Sequence, residues 1–299
     1  MQTAVQKRIH EPRQVNEVPS SNYLLQMEQV FQAPHHRNYQ ERMTAIDTTE
    51  LTKRYDETLA VDELDLSIPD GVVYGFLGPN GAGKTTTMRM LTGLTRPTSG
   101  TGTVADAAIT DRDSLRPHIG YLPEEPPLYE HATAYEQLDY VAGLRDLPGE
   151  RTRERIDTLL DDLDLTADAS TRIAEYSKGM RQKVAYIQAV LHDPDVVFLD
   201  EPTSGLDPRA ARTIREMITD LADAGTTVFL STHILPVVEE VADTVGILYE
   251  GRLVAEDAPD TLTQRAETEE TGTETQTLED AFLELTGTDP AEGVEATNG

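Results

Sequence analysis

The hydrophobic positions of this chain gather in short solid runs, separated by longer stretches in which they recur at helical spacing. VVYGFLG (72–78), IGYLP (119–123), VVFLDEP (196–202), TVFLSTH (227–233) and VGILYEG (245–251) each hold an apolar segment of strand length. Such runs predict strands covered on both faces. Between them the period changes: Ile214, Met217, Ile218 and Leu221 fall on one stripe of a helix that begins after Asp207 and stops at Gly225. AYEQLDYVAGL and RERIDTLLDDL predict a helical insert, about 125–192, between IGYLP and VVFLDEP. Upstream, AIDTTELTKRY and TLAVDELDLSI read as strands that end in the turn Pro69, Asp70, Gly71. After Asp257 the chain turns Thr/Glu-rich (TEETGTETQT), then recovers a short amphipathic stretch, LEDAFLELTG. Strands alternating with helices predict an α/β fold with a mostly parallel, covered sheet and ligands at the carboxyl ends of its strands.

Charge changes this picture. The 299 residues carry 54 Asp plus Glu against 25 Lys plus Arg, a net charge of −29, and no cysteine. Such self-repulsion strains a compact chain in dilute buffer and is screened by concentrated salt. The bias resembles that of proteins from salt-accumulating microbes, haloarchaea especially, and argues against non-specific binding to nucleic acid or anionic lipid. It also breaks along the chain. Residues 1–42 hold Lys7, Arg8, Arg13, Arg37 and Arg42 against four acidic residues, net +1, so the other 257 residues carry −30. The segment 1–43 reads as a disordered extension or a mis-set translation start ahead of a domain over 44–287, with a flexible acidic tail over 288–299. His35 and His36 within it read as a solvated tail rather than a metal site. No apolar run is long enough to cross a bilayer, and the opening MQTAVQKRIHEPRQ lacks the apolar core of a secretory signal.

Four segments carry candidate chemistry. GPNGAGKT, from Gly78 through Pro79, Asn80, Gly81, Ala82, Gly83 and Lys84 to Thr85, fits the phosphate-loop pattern G-x-x-x-x-G-K-[ST], with a strand before it and a helix after. Its glycines let backbone N–H groups converge on phosphate oxygens, Lys84 reaches the β and γ phosphates, and Thr85 offers a hydroxyl to Mg²⁺. VVFLDEP ends a strand with two carboxylates: Asp200 to hold Mg²⁺ through water, Glu201 as general base for the attacking water. TVFLSTH sets His233 just past another strand, where an imidazole can touch the γ-phosphate and the water. In AEYSKGMRQK, Ser177, Lys178 and Gly179 precede a helix whose N-terminus suits an anion; a plain capped helix with a solvated Lys178 is the alternative.

These motifs, in this order, resemble the nucleotide-binding subunit of an ATP-binding cassette (ABC) transporter over about residues 44–287. The resemblance rests on GPNGAGKTT, which extends the loop to Thr86, on YSKGM in place of the family's signature loop, on VVFLDEP, on the SGLD of Ser204 to Asp207, and on His233 as the switch histidine. IGYLPEE and LEDAFLELTG further resemble subunits of drug-efflux exporters. The resemblance implies a P-loop ATPase with an N-terminal antiparallel β region and a helical subdomain, ATP and Mg²⁺ as ligands, and a separate transmembrane permease subunit through which this chain sits at the cytoplasmic face of the membrane. It implies head-to-tail pairing with a second copy or a paired cassette, so that Ser177 and Gly179 of one chain close on the γ-phosphate held by the other. It also implies that Tyr55 stacks on adenine, that Asp207 crosses the dimer interface, and that Glu124 occupies the loop that senses Mg²⁺ and the membrane partner. For Tyr55 an ordinary strand aromatic stays open. Two departures stand out: YSKGM for LSGGQ adds the cation of Lys178, and Glu124 replaces glutamine, adding negative charge where it still can ligate Mg²⁺. An ABC ATPase acting on DNA or ribosomes would bring a long coiled coil or a second cassette in the chain, and a non-hydrolysing relative would have lost Lys84, Glu201 or His233; the sequence shows none of these.

Overall fold

The computed structural model describes residues 44–267 and 277–287. The segment through residue 43 with its paired histidines, the Thr/Glu-rich stretch 268–276 and the tail 288–299 lie outside the described residues.

Two sheets form the frame. The first is antiparallel, order β2-β1-β4-β5, from β1 (Ile46–Tyr55), β2 (Thr58–Ile68), β4 (Ser99–Val104) and β5 (Ala107–Ala108). The second has order β10-β9-β3-β8-β7-β6. Its members are β3 (Val73–Leu77), β6 (Ile119–Leu122), β7 (Val196–Asp200), β8 (Thr227–Thr232), β9 (Thr244–Tyr249) and the edge strand β10 (Arg252–Asp257). All pairings from β9 to β6 are parallel, and only β10 runs antiparallel to its neighbour. The solid apolar runs are explained by burial on both faces. Along β7 and β8 the side chains alternate between two cores: Val197, Leu199, Val228 and Leu230 face one, Val196, Phe198 and Phe229 the other.

The second of these cores lies between the two sheets. Tyr74, Phe76, Phe198 and Phe229 meet there, with ring centroids 5.1–5.5 Å apart around Phe229. Ile46, Leu51, Val61 and Leu64 of the antiparallel sheet close over them, joined by Met88, Met90 and Leu91 of helix α1 (Lys84–Leu91). Each such aromatic contributes roughly 1.5–3 kcal/mol through removal of its surface from water.

On the opposite face lie α3 (Ala134–Leu144), α4 (Gly149–Asp162) and α5 (Lys178–Val190), which follow β6 and precede β7, and α6 (Pro208–Asp223). The short α2 (Arg112–Leu115) precedes β6. Helix α3 begins with a full capping box, Thr133 accepting from Glu136 N and Glu136 returning to Thr133 N. Arg155 joins α4 to the end of α5 by donating to the Val190 carbonyl at 3.0 Å. A third core at the β9 side gathers Leu77, Val245 and Ile247 under α7 (Leu235–Val241), α8 (Pro259–Glu267) and α9 (Leu278–Thr286). The LEDAFLELTG stretch is this last helix; Phe282 is fully buried in it.

Candidate nucleotide site

Parallel pairing places the carboxyl ends of β3, β8, β7 and β6 side by side, and each delivers chemistry to the same edge. Gly78 to Gly83 follow β3, His233 follows β8, Asp200 ends β7 with Glu201 directly after it, and Glu124 follows β6. Together they line a cavity of about 460 Å³ that includes Asn80, Gly81, Gly83, Lys84, Thr85, Thr86, Glu124, Asp200, Glu201, Ser204, His233 and Ala60.

The loop's shape depends on glycine. Gly83 sits at φ 109°, and a Cβ there would lie 2.3 Å from the Ala60 carbonyl oxygen, so β2 and the loop can approach this closely only without a side chain. Gly78 is held as tightly, with a Cβ position 2.4 Å from the Leu248 carbonyl. Helix α1 starts at once after Gly83, with no side-chain cap, and Lys84, Thr85 and Thr86 of its first turn line the cavity. Lys84, 7% exposed, donates its ammonium to the carbonyls of Gly78 (2.6 Å) and Pro79 (3.2 Å). Burial pulls its pKa down, and Glu201, Asp200 and Glu124 oppose that shift.

The acidic side is equally ordered. Burial raises the Asp200 pKa. A buried carboxylate, a threonine hydroxyl and Glu124 across the cavity form a set of hard oxygen donors, which fits a small divalent cation. Glu201 adopts φ 48° and donates its N–H to the Ser231 carbonyl at 2.8 Å, so its side chain turns back over the strand ends. One carboxylate oxygen meets His233 Nδ1 at 2.8 Å and the other accepts from the Thr232 hydroxyl at 3.0 Å.

The His233 pKa is raised, chiefly by the hydrogen bond to Glu201. Folding thus favours the imidazolium, and that stabilisation is complete below the ordinary value of 6.5 and lost as pH rises through the raised one. The gap in Tm between the wild type and His233→Ala should accordingly be widest below pH 6.5 and shrink above it. A gap that grew with pH in a thermal-melt series would overturn this assignment.

Ser177, Lys178 and Gly179 do not line the cavity. Ser177 is the N-cap of α5, its hydroxyl accepting from Met180 N at 3.2 Å, so the capped-helix reading describes its bonding within one chain. Lys178 lies against Gly205 and Gly179 against Ala210, which joins the signature segment to the SGLD loop of the same chain. Asp207 caps its own helix, α6, accepting from Arg209 N and Ala210 N, both at 3.0 Å. Tyr55, 43% exposed at the end of β1, also stays outside the lining, and Lys53 Nζ stands 4.8 Å from its ring centroid. Ala60 and Thr232 were not singled out by the motifs, and Ser204 entered only as the first residue of SGLD, not as part of the cavity lining. Ser204 had a signal, its place just after Asp200 and Glu201; Ala60 had none, because it acts through its carbonyl.

A phosphate-cradling loop ahead of a helix, with an acidic pair at the neighbouring strand end, makes this a P-loop nucleotide triphosphatase. The family model described as "ABC transporter" matches residues 61–204. The chain is similar to the daunorubicin/doxorubicin resistance ATP-binding protein DrrA of Streptomyces peucetius, 42% identical over 71% of this chain and 64% of that protein. It is similar to the bacitracin transport ATP-binding protein BcrA of Bacillus licheniformis, 39% identical over 74% of this chain and 72% of that protein. A solved ATP-binding subunit of an ABC transporter superposes with TM-score 0.73 at 30% identity, over 81% of this chain and 99% of that one. The chain belongs to the ATP-binding subunits of ABC transporters, ATPases whose hydrolysis of ATP is coupled to transport. Among the described residues no helix is long and apolar enough to cross a membrane.

Proposed function

We propose that this chain powers export through a separate membrane-spanning subunit, from the cytoplasmic face, and that its ATP site is completed by a second cassette. The observation that carries the reading is the split of the anion chemistry. Lys84, Asp200, Glu201 and His233 converge on one cavity, while the α5 N-terminus, with the exposed Ser177 and the half-buried Gly179, lies outside that lining. A head-to-tail pair brings the second set over the first.

In the completed site Lys84 and the loop N–H groups hold the β and γ phosphates. Thr85, Asp200 and Glu124 would hold Mg²⁺, which neutralises phosphate charge when bound. Glu201 accepts a proton from water as its oxygen bonds to the γ-phosphorus and the bond to the ADP oxygen breaks. His233 donates its Nε2–H to the γ-phosphate, its Nδ1 being held by Glu201. Tyr55 offers the ring nearest the hairpin end for adenine. The identity with DrrA and BcrA supports an exporter of bulky drug-like molecules. Affinity purification of the tagged chain from native membranes should bring down a membrane-spanning chain whose presence changes the ATPase rate. Recovery with ribosomes or DNA, and no membrane chain, would overturn the reading.

A further inference from the structure

Thr232 is the last residue of β8, fully buried, and pairs in register with Leu77 directly before the phosphate loop. Its hydroxyl makes two hydrogen bonds whose directions are fixed. Ile234 N–H donates to it at 3.1 Å, so the single hydroxyl proton is left for Glu201, whose Oε2 accepts it at 3.0 Å. The other carboxylate oxygen is held by His233 Nδ1 at 2.8 Å. Glu201 itself follows a positive-φ backbone tied to the same strand through the Ser231 carbonyl. Two anchors on different oxygens define the plane of the carboxylate; one anchor alone would leave it free to rotate about that bond.

We propose that Thr232 is a positioning residue for hydrolysis: its hydroxyl locks the Glu201 carboxylate in the orientation that receives the proton of the attacking water. The inference rests on Glu201 being the general base. Each oxygen keeps a second lone pair, so the anchors direct the carboxylate without consuming its capacity to accept. The hydroxyl also links base and phosphate loop, since β8 lies between β7 and β3 and Thr232 sits at the level of Leu77. A small rotation of the base moves it away from the γ-phosphorus line, and misplacements of about 1 Å cost on the order of a hundredfold in rate.

The test uses the full chain and steady-state ATPase assays with Thr232→Val, which keeps the shape and removes the hydroxyl, and Thr232→Ser, which keeps the hydroxyl. In Thr232→Val kcat should fall about tenfold or more, while KM for ATP and the Kd for a non-hydrolysable ATP analogue stay within about twofold. Thr232→Ser should recover kcat to within about threefold of wild type. A purely structural role would lower Tm and raise KM in both. If Thr232→Val does not fold, Thr232→Ala against Thr232→Ser carries the same comparison. Wild-type kcat in the hydroxyl-free variant, or equal loss in the serine variant, overturns the proposal. Glu201→Gln separates it from the reading beneath: a Glu201→Gln protein that still hydrolyses ATP removes the base, whereas an inactive Glu201→Gln beside an unimpaired Thr232→Val removes the positioning role alone.

Discussion

Two inactive variants, mixed, should regain about a quarter of wild-type ATPase activity. Lys84→Ala removes the cation at the β and γ phosphates, and Gly179→Asp sets a carboxylate against the γ-phosphate, so each homodimer is inactive at both sites. If every site takes Lys84 from one chain and Gly179 from the other, a mixed dimer has one site with both defects and one with neither. Random exchange makes about half the dimers mixed, each with one working site of two, which gives the quarter. The geometry supports the pairing because the cavity has Lys84 and no contact from α5. Gly179 tolerates the change sterically only if the Ala210 methyl gives way slightly, its carbon being 3.0 Å from the added Cβ, so a thermal melt of the variant is the folding control. The second control is ATP-dependent formation of mixed dimers by differently tagged chains. Mixed dimers that form, bind ATP and remain inactive rule out independently working shared sites. Activity in Gly179→Asp alone removes the signature segment from the chemistry.

The edge that carries the candidate site was legible because burial on two faces forces solid apolar runs, and the candidate residues stand at the ends of those runs. VVFLDEP and TVFLSTH name both a strand and its cargo. What the hydrophobic pattern missed has equally physical reasons. β4, SGTGTV, is almost wholly exposed at an antiparallel sheet and is held by backbone pairing to β1, so it has no apolar period to read. β10, RLVAED, alternates between exposed and half-buried positions, but its half-buried face includes Leu253, Ala255 and the acid Asp257, too weak a signal. Thr232 looked like an ordinary β-branched strand residue, and only the hydroxyl's two partners distinguish it. The signature segment shows the reverse limit: a single chain satisfies Ser177 locally as a helix cap, and a second chain that would bring it an anion, as proposed, lies outside what one sequence shows.

Below about 0.1 M salt the protein should lose both folding stability and ATPase activity, and recover them between about 1 and 3 M KCl. Residues 44–287 carry a net charge of −27, and the proposed pairing would bring two such surfaces together. At about 0.1 M the screening length is about 10 Å, long enough for carboxylates on neighbouring helices to repel; at about 1 M it is about 3 Å. The fold contains such a meeting. Asp162 at the end of α4 and Asp220 on α6 have raised pKa values, each first from partial loss of water and then from neighbouring carboxylates: Asp161 and Asp220 for the former, Asp223 and Glu216 for the latter. For an acid the sign is unfavourable to the fold: a raised folded pKa means that stability falls as pH rises through it, and at neutral pH the full repulsion is present. Asp162→Asn and Asp220→Asn should therefore raise Tm at every salt concentration, because the desolvation of the carboxylate is removed, and raise it most at low salt, where the repulsion from neighbouring carboxylates adds to the gain and molar KCl screens that part away. Thermal melts of the wild type and the two variants across a KCl series measure all of this. Equal gains at every salt concentration would assign the effect to desolvation alone, and full wild-type stability and turnover at about 0.1 M would show that the acidic surface does not need screening.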